Sequence, residues 1–328
     1  MENAASISEL NRAGDFGAVC LACGVFDGVH RGHQRLVARL LAMALATGAR
    51  PVVVTFEPHP RRVLHPHAAP MLLTSPGQKA RLLRAAGVEG MVVLPFSPAM
   101  AALPPEQFLR QQLQAPGVEV RGICVGAGWR FGARGAGDIR SLRQFGRDWG
   151  FRVAAVPELP YYGRPVSSTR IRHAVATGNL RLARRLLGRD YAIDGVVAHG
   201  QGRGGREFSC ATANLVPADQ LLPPCGVYAV EARLDSDGAA GGRPPRAGVA
   251  YIGKAPTLAA QGGGHARPVL ETHLFEDPGD LYGRTLEVVF LEFIRPELVF
   301  PTTEALREQI ALDTARARDV TAAGVVPA

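Results

Sequence analysis

Lysine is almost missing from this chain. Of its 37 basic side chains, only Lys79 and Lys254 are lysines and the rest are arginines. Aromatic residues are also scarce, at 6%. A platform for single-stranded nucleic acid interleaves basic side chains with aromatics, and no such run is present. The net charge of +8 therefore does not point to a nucleic-acid partner. Arginines gathered around phosphate-binding clefts give the same total. Long apolar runs are absent too: the stretch over residues 40–46 is far too short to span a bilayer, so no membrane partner is expected. The N-terminus carries Glu2 and Glu9 and lacks a basic segment followed by an apolar one, so no secretory signal is expected. Cysteines are few and odd in number, five in 328 residues. That excludes a complete disulfide framework, and a reduced, cytoplasmic compartment is expected. Cys20 and Cys23 form a CxxC, but no second pair or nearby histidine completes a zinc site. Both sit in a strand-like run and read as buried thiols.

What is present is a globular composition, 47% hydrophobic and 20% charged, in a chain long enough for two domains. The first half alternates strand-like and helix-like segments. Strands are expected over residues 18–23, 51–56, 91–94, 118–125 and 151–156. Helices are expected over 34–46, 79–86, 105–113, 139–148 and 171–187. That alternation implies a doubly wound α/β sheet with right-handed crossovers. Ligands of such sheets bind beyond the carboxyl ends of the strands. The second half has short strand-like pieces over 196–198, 226–234, 247–252, 269–275 and 285–293, separated by Gly/Pro-rich turns. It reads as an antiparallel β-barrel closed by a helix over 303–318, with hydroxyl caps at Thr302 and Thr303. The domain border is expected near 190–194, giving domains 1–190 and 191–328.

The segment Gly24-Val25-Phe26-Asp27-Gly28-Val29-His30-Arg31-Gly32-His33 follows a strand and opens a helix. Its glycines let backbone approach a ligand closely, and amides at a helix start hold phosphate. His30 and His33, three residues apart, lie on one side of the turn and can donate hydrogen bonds to phosphate oxygens as charge builds. Farther on, Ser167-Ser168-Thr169-Arg170-Ile171-Arg172 reads either as an ordinary helix cap or as a second phosphate site. Its pairing with the histidine segment favours the latter.

In the second half, residues 199–206 form a glycine-rich loop containing Gly202 and Gly204. It is either a phosphate-wrapping loop or a flexible hairpin. Thr212 and Asn214 alternate on an extended strand and point the same way. A hydroxyl and an amide oxygen there suit Mg²⁺ held mainly by nucleotide phosphates and water. Glu271 is either an exposed strand carboxylate or a general base in a pocket.

Residues 24–33 and 167–172 together resemble the HxGH nucleotidyltransferase superfamily. Phe56-Glu57-Pro58-His59-Pro60, Phe131-Gly132 and Leu186-Leu187-Gly188-Arg189 narrow the resemblance to bacterial bifunctional riboflavin kinase/FAD synthetases, over residues 18–318. The resemblance implies conversion of riboflavin and ATP to FMN, then of FMN and ATP to FAD and pyrophosphate. It implies that His30 and His33 stabilise the transition state of adenylyl transfer. Gly24, Phe26, Asp27 and Gly32 would line the nucleotide pocket, and Ser168, Thr169 and Arg172 would hold phosphates. In the kinase half it implies Thr212 and Asn214 at Mg²⁺-ATP, Gly202 and Gly204 near phosphate, and Glu271 as base. Some positions depart from the family pattern. Gly128 stands where an acidic or amide residue is usual, and Trp129 stands at the aromatic position. Arg134-Gly135 reverses the usual order. Ser209-Cys210-Ala211 precedes Thr212 without the usual proline, and Tyr251 replaces an asparagine. Two other readings stay open: a divergent paralogue with one activity or a modified flavin substrate, and a non-catalytic flavin- or nucleotide-binding module.

Overall fold

The computed structural model describes residues 1–14, 16–198, 212–217, 219–234, 244–254, 268–276 and 279–323. The chain divides into two compact units. One comprises residues 1–71 and 76–167, the other residues 72–75 and 168–328.

The first unit is built on a six-stranded parallel sheet. Its strands are β1 (Glu2–Ala4), β2 (Ala18–Cys23), β3 (Arg50–Glu57), β4 (Gly90–Pro95), β5 (Glu119–Gly126) and β6 (Arg152–Val156), in the order β1-β4-β3-β2-β5-β6. Parallel strands covered on both faces read as continuous apolar runs, and AVCLAC and RPVVVTFE do so. Side chains alternate between the two faces. Val19, Leu21 and Cys23 join Val52, Val54 and Phe56 in one core, and Cys20 and Ala22 join Val53 and Met91 in the other. Cys20 and Cys23 thus face opposite sides of the sheet and cannot converge on one ion. Helices α1 (Ile7–Gly14), α2 (Arg31–Thr47), α3 (Pro60–Leu64), α4 (Pro76–Ala85), α5 (Pro98–Ala101), α6 (Pro105–Leu113) and α7 (Ile139–Trp149) complete the unit, with the hairpin β7 (Pro160–Tyr161) and β8 (Arg164–Pro165). Strand order reverses between β2 and β5, which are spatial neighbours but not sequential. The loop after β2 therefore lies at the switch point where such sheets bind ligands.

The second unit opens with α8 (Ser168–Ala176) and α9 (Leu180–Leu187). The single helix expected over 171–187 is two helices. Gly178 takes φ 73 and Asn179 caps α9 by accepting from the Leu182 amide at 3.0 Å. The compact units part at residues 167/168, and α9 packs on the barrel strands β9 and β14. The barrel strands are β9 (Tyr191–Ala198), β10 (Thr212–Pro217), β11 (Gly226–Leu234), β12 (Arg246–Lys254), β13 (Pro268–Leu274) and β14 (Thr285–Arg295). They close in the order β10-β13-β12-β11-β14-β9, every pair antiparallel. Ala213, Leu215, Tyr228, Ala250, Ile252, Leu270 and Leu274 are buried in the barrel unit. Residues 72–75 pack with it. The Leu72 amide donates to Asp219 O at 3.0 Å, and Ser75 Oγ donates to Asp194 Oδ2 at 2.7 Å. Helix α10 (Thr303–Ala322) lies against β11, β12 and β14, and Thr302 caps it by accepting from the Ala305 amide at 3.2 Å.

Candidate active site

In the first unit, the loop after β2 is pinned from several sides. The Gly24 amide donates to Val54 O at 3.0 Å, Thr55 Oγ1 to Val25 O at 2.9 Å, the Val29 amide to Phe26 O at 3.1 Å and Gln34 Nε2 to Val29 O at 3.0 Å. These bonds hold a strained path: Phe26 and Val29 have φ of 54 and 38. Such conformations cost about 1–3 kcal/mol each and collect at functional sites. Two glycines are favoured by close approach. A Cβ on Gly24 would meet the Phe26 ring at 3.2 Å, and one on Gly32 would meet the His30 ring at 3.1 Å.

His30 is the N-cap of α2; its Nδ1 accepts from the His33 amide at 3.2 Å. The His30 and His33 rings stack 3.7 Å apart at 13°, with Phe26 5.1 Å from His33 on a tilt. The spacing argument is thus realised as one rigid stack at a helix N-terminus. His33 Nδ1 is enclosed and has no hydrogen-bond partner among the described residues. Burial holds the His33 pKa well below the ordinary imidazole value, helped by the neighbouring His30 and by the positive charge of Lys79. His33 is therefore neutral at pH 7.

Lys79, on α4, is a residue the sequence did not single out. Only 7% of it is exposed. Burial lowers its pKa, while the carboxylates of Asp27 and Glu57 act in the opposite sense. A buried lysine is rare unless compensated, and Asp27, itself 2% exposed, supplies part of that compensation. Ser168, Thr169 and Arg172 lie in the opening turns of α8, in the second unit. Gly128 is exposed, its φ is outside the left-handed region, and a Cβ there would meet nothing within 4 Å. Trp129 stacks on Phe131 at 4.7 Å and 16°.

In the second unit, β10 and β13 set Asn214 directly opposite Glu271, and Thr212 opposite His273. Alternation sends Asn214, Glu271 and His273 outward, while Ala213, Thr272 and Leu274 are buried. Of Thr212 only the backbone register is described. Gly202, Gly204, Ser209, Cys210 and Ala211 lie outside the described residues. Glu271 is half-buried, and burial raises its carboxyl above the usual range. It has no hydrogen-bond partner among the described residues. It lines a cleft of about 450 Å³ with Val227, Val249, Tyr251, His273 and Arg295, closed by Leu306, Ile310 and Asp313 of α10. Arg295 grips Asp313 through Nε at 3.0 Å and Nη2 at 2.8 Å, fastening α10 to the barrel. No group of three or more His, Cys, Asp or Glu side chains among the described residues could hold a metal ion by itself. Asn214 beside a carboxylate instead fits an ion that arrives largely coordinated by phosphate.

A strained loop carrying two stacked histidines at the switch point of one unit, and a carboxylate-bearing cleft on the barrel of the other, give the chain two candidate sites of the kind group-transfer enzymes use. Comparison with known proteins agrees. The FAD synthetase family matches residues 15–170 and the riboflavin kinase family residues 187–321. The chain is 39% identical over 304 residues to the bifunctional riboflavin kinase/FMN adenylyltransferase of Pseudomonas fluorescens, covering 92% of this chain and 93% of that protein. It is 37% identical over 313 residues to the protein of the same name from Escherichia coli (strain K12), covering 95% and 96%. A crystal structure described as a macrolide-efflux protein from Streptococcus pneumoniae shares the fold, with a TM-score of 0.76 and 28% identity over 92% of this chain and 94% of that one. Among the described residues no helix is long and apolar enough to cross a membrane. The chain belongs to the bifunctional riboflavin kinase/FMN adenylyltransferase family.

Proposed function

We propose that this chain makes FMN from riboflavin and ATP on its barrel, and FAD from FMN and ATP on its α/β unit, with the residues named above. The observation that carries the kinase assignment is Glu271, half-buried and without a hydrogen-bond partner among the described residues, directly opposite Asn214. Glu271 takes the proton of the acceptor's primary hydroxyl as that oxygen bonds to the γ-phosphorus of ATP and ADP leaves. A carboxylate raised above its usual range is a better base for an alcohol than an exposed one. Thr212 and Asn214 would hold Mg²⁺, which supplies charge neutralisation for the phosphates. Gly202 and Gly204 are proposed beside those phosphates.

At the other site a phosphate oxygen of FMN attacks the α-phosphorus of ATP and pyrophosphate departs. His30 and His33 donate hydrogen bonds to the oxygens on which charge accumulates. The neutral His33 does so without the solvation demand of an imidazolium. Gly24, Phe26, Asp27 and Gly32 line the nucleotide side, with Ser168, Thr169 and Arg172 as the further phosphate-holding element. The functional border is placed near residue 190, and the setting is cytoplasmic, in keeping with the free buried thiols of Cys20, Cys23 and Cys124. The deciding experiment incubates the purified chain with Mg²⁺-ATP and either riboflavin or FMN, and separates products by chromatography. FMN and FAD are expected from riboflavin, and FAD from FMN. FAD from FMN without FMN from riboflavin would reduce the chain to one activity.

A further inference from the structure

The outer face of the barrel carries a row of side chains across four strands. Asn214 on β10 is opposite Glu271 on β13, Glu271 opposite Tyr251 on β12, and Tyr251 opposite Val227 on β11. Directly opposed residues of antiparallel strands project to the same face with Cβ atoms about 4.5–5.5 Å apart. The row thus sets an amide, a carboxylate, a phenol and an alkyl group in order along one line. The cleft takes in Glu271, Tyr251 and Val227 of this line. Its further lining includes the apolar Leu298, Phe300, Leu306 and Ile310 and, paired with Val227, Arg295.

The phenol in this row is tethered. Tyr251 Oη donates to the carboxylate of Glu297, in the segment after β14 that also lines the cleft. Burial and the negative charges of Glu297 and Glu271 push the phenol above its usual range, so it stays a donor at neutral pH. A tyrosine has two side-chain torsions to fix, and a bond at its far end fixes the ring plane as well.

With nucleotide phosphates at the Asn214 end and the reacting hydroxyl at Glu271, the acceptor reaches Glu271 from the Val227 end, past Tyr251. We propose that Tyr251, held by Glu297, is a specificity-determining residue of the kinase site. Its ring forms the wall along which the acceptor's polyol chain lies, and it limits the width of the fused ring system that follows. This rests on the kinase reading above. A ring at this position, where the family resemblance leads one to expect asparagine, narrows the acceptor side of the cleft.

The test uses the full-length chain and steady-state FMN formation, with KM measured separately for riboflavin and for ATP. Riboflavin binding is followed by fluorescence quenching. FAD formation from supplied FMN monitors the other site. Tyr251→Phe keeps the ring and cuts the tether. It is expected to raise the KM and Kd for riboflavin about tenfold, with the KM for ATP within about twofold. Tyr251→Asn opens the wall. It is expected to shift the ratio of kcat/KM for riboflavin over an analogue with a larger benzenoid substituent by about tenfold in favour of the analogue. Glu297→Gln keeps an acceptor for the phenol and should fall between wild type and Tyr251→Phe. The proposal is overturned if Tyr251→Phe leaves the riboflavin KM and Kd unchanged, if the KM for ATP rises in parallel, or if the analogue ratio of Tyr251→Asn matches wild type. Wild type that makes no FMN at all would overturn the kinase reading instead.

Discussion

Arg295 and Asp313 offer the sharpest test of how the kinase cleft is held together. Their side chains are 16% and 6% exposed, and they meet through three contacts of 2.8–3.0 Å. Asp313 also accepts from Gln309 Nε2 at 2.9 Å, and Arg295 Nη1 donates to Pro296 O at 3.0 Å. A further ion pair between α10 and the barrel, Arg316 with Glu292, is more exposed and is worth under about 1 kcal/mol. Arg295→Ala would leave a buried carboxylate with its main countercharge gone, a change that costs about 3–5 kcal/mol. That is a large part of a domain's whole stability, about 5–15 kcal/mol. Both tryptophans, Trp129 and Trp149, lie in the first unit, so indole fluorescence is blind to this loss. Hydrogen exchange of the α10 amides reads it directly, and about 3–5 kcal/mol corresponds to exchange faster by about 10²–10⁴. The riboflavin KM should rise with it, because α10 closes the cleft, while FAD formation from FMN stays level. Arg295→Met combined with Asp313→Leu removes both charges and should return exchange to near the wild-type rate, since well-packed apolar replacements of buried pairs are often neutral. Exchange in Arg295→Ala within about threefold of wild type, under about 1 kcal/mol, would refute the claim that this pair fastens the helix.

His33→Ala should cut FAD formation from FMN by about 10² or more, as loss of a preorganised donor does, with FMN formation unchanged; an unaffected FAD rate would remove His33 from the chemistry. Folding depresses the His33 pKa below 6.5, so below that value the unfolded chain binds a proton the folded one refuses. Stability of the first unit should therefore fall as pH drops through and below 6.5, and His33→Gln should flatten the curve in chemical denaturation. Glu271 has the opposite sign: its folded pKa is raised above 4.5, the folded state holds the extra proton, and stability falls as pH rises through that window. Glu271→Gln should then abolish FMN formation while stabilising the metal-free barrel at neutral pH, and a loss of stability would contradict the burial argument. Gly128→Asn fits open space at an ordinary φ and restores an amide where the family carries an acidic or amide residue; it should lower the KM for FMN or ATP in adenylyl transfer, and an unchanged pair of KM values would show the position to be idle.

What could be read in the sequence follows the range of the interactions concerned. That His30 and His33 share one side of the turn is legible because their geometry lies within one helical turn; that their rings stack is not. The parallel sheet was legible because strands covered on both faces announce themselves as apolar runs. The break at Gly178 and Asn179 was not read, although both are turn and cap residues, because leucine periodicity runs straight across it. Lys79 has no motif. Only the packing of α4 brings its charge to bear on His33, and sequence spacing carries no trace of that. The same holds for the barrel site: Asn214, Tyr251, Glu271, Glu297 and Asp313 come from three strands, a connection and a helix, and their meeting depends on register. One local slip in register reverses the face every side chain takes.

Three of the departures from the family pattern share a physical character. Gly128, Trp129 and Tyr251 stand beside the candidate chemistry, on loop or cleft wall, where side chains fit a substrate. His30, His33, Asn214 and Glu271 stand on a helix start and on strands whose positions are dictated by backbone hydrogen bonds. A group on such an element moves only if the sheet or barrel moves, so it holds a reacting atom to the tolerance that chemistry demands. Wall residues can change size at the cost of fit alone. Arg134 illustrates the limit of that freedom. It takes φ 55 next to Gly135 at φ 66, a conformation glycine adopts without strain and arginine does not. The exchanged order has therefore been absorbed as local strain in a surface turn.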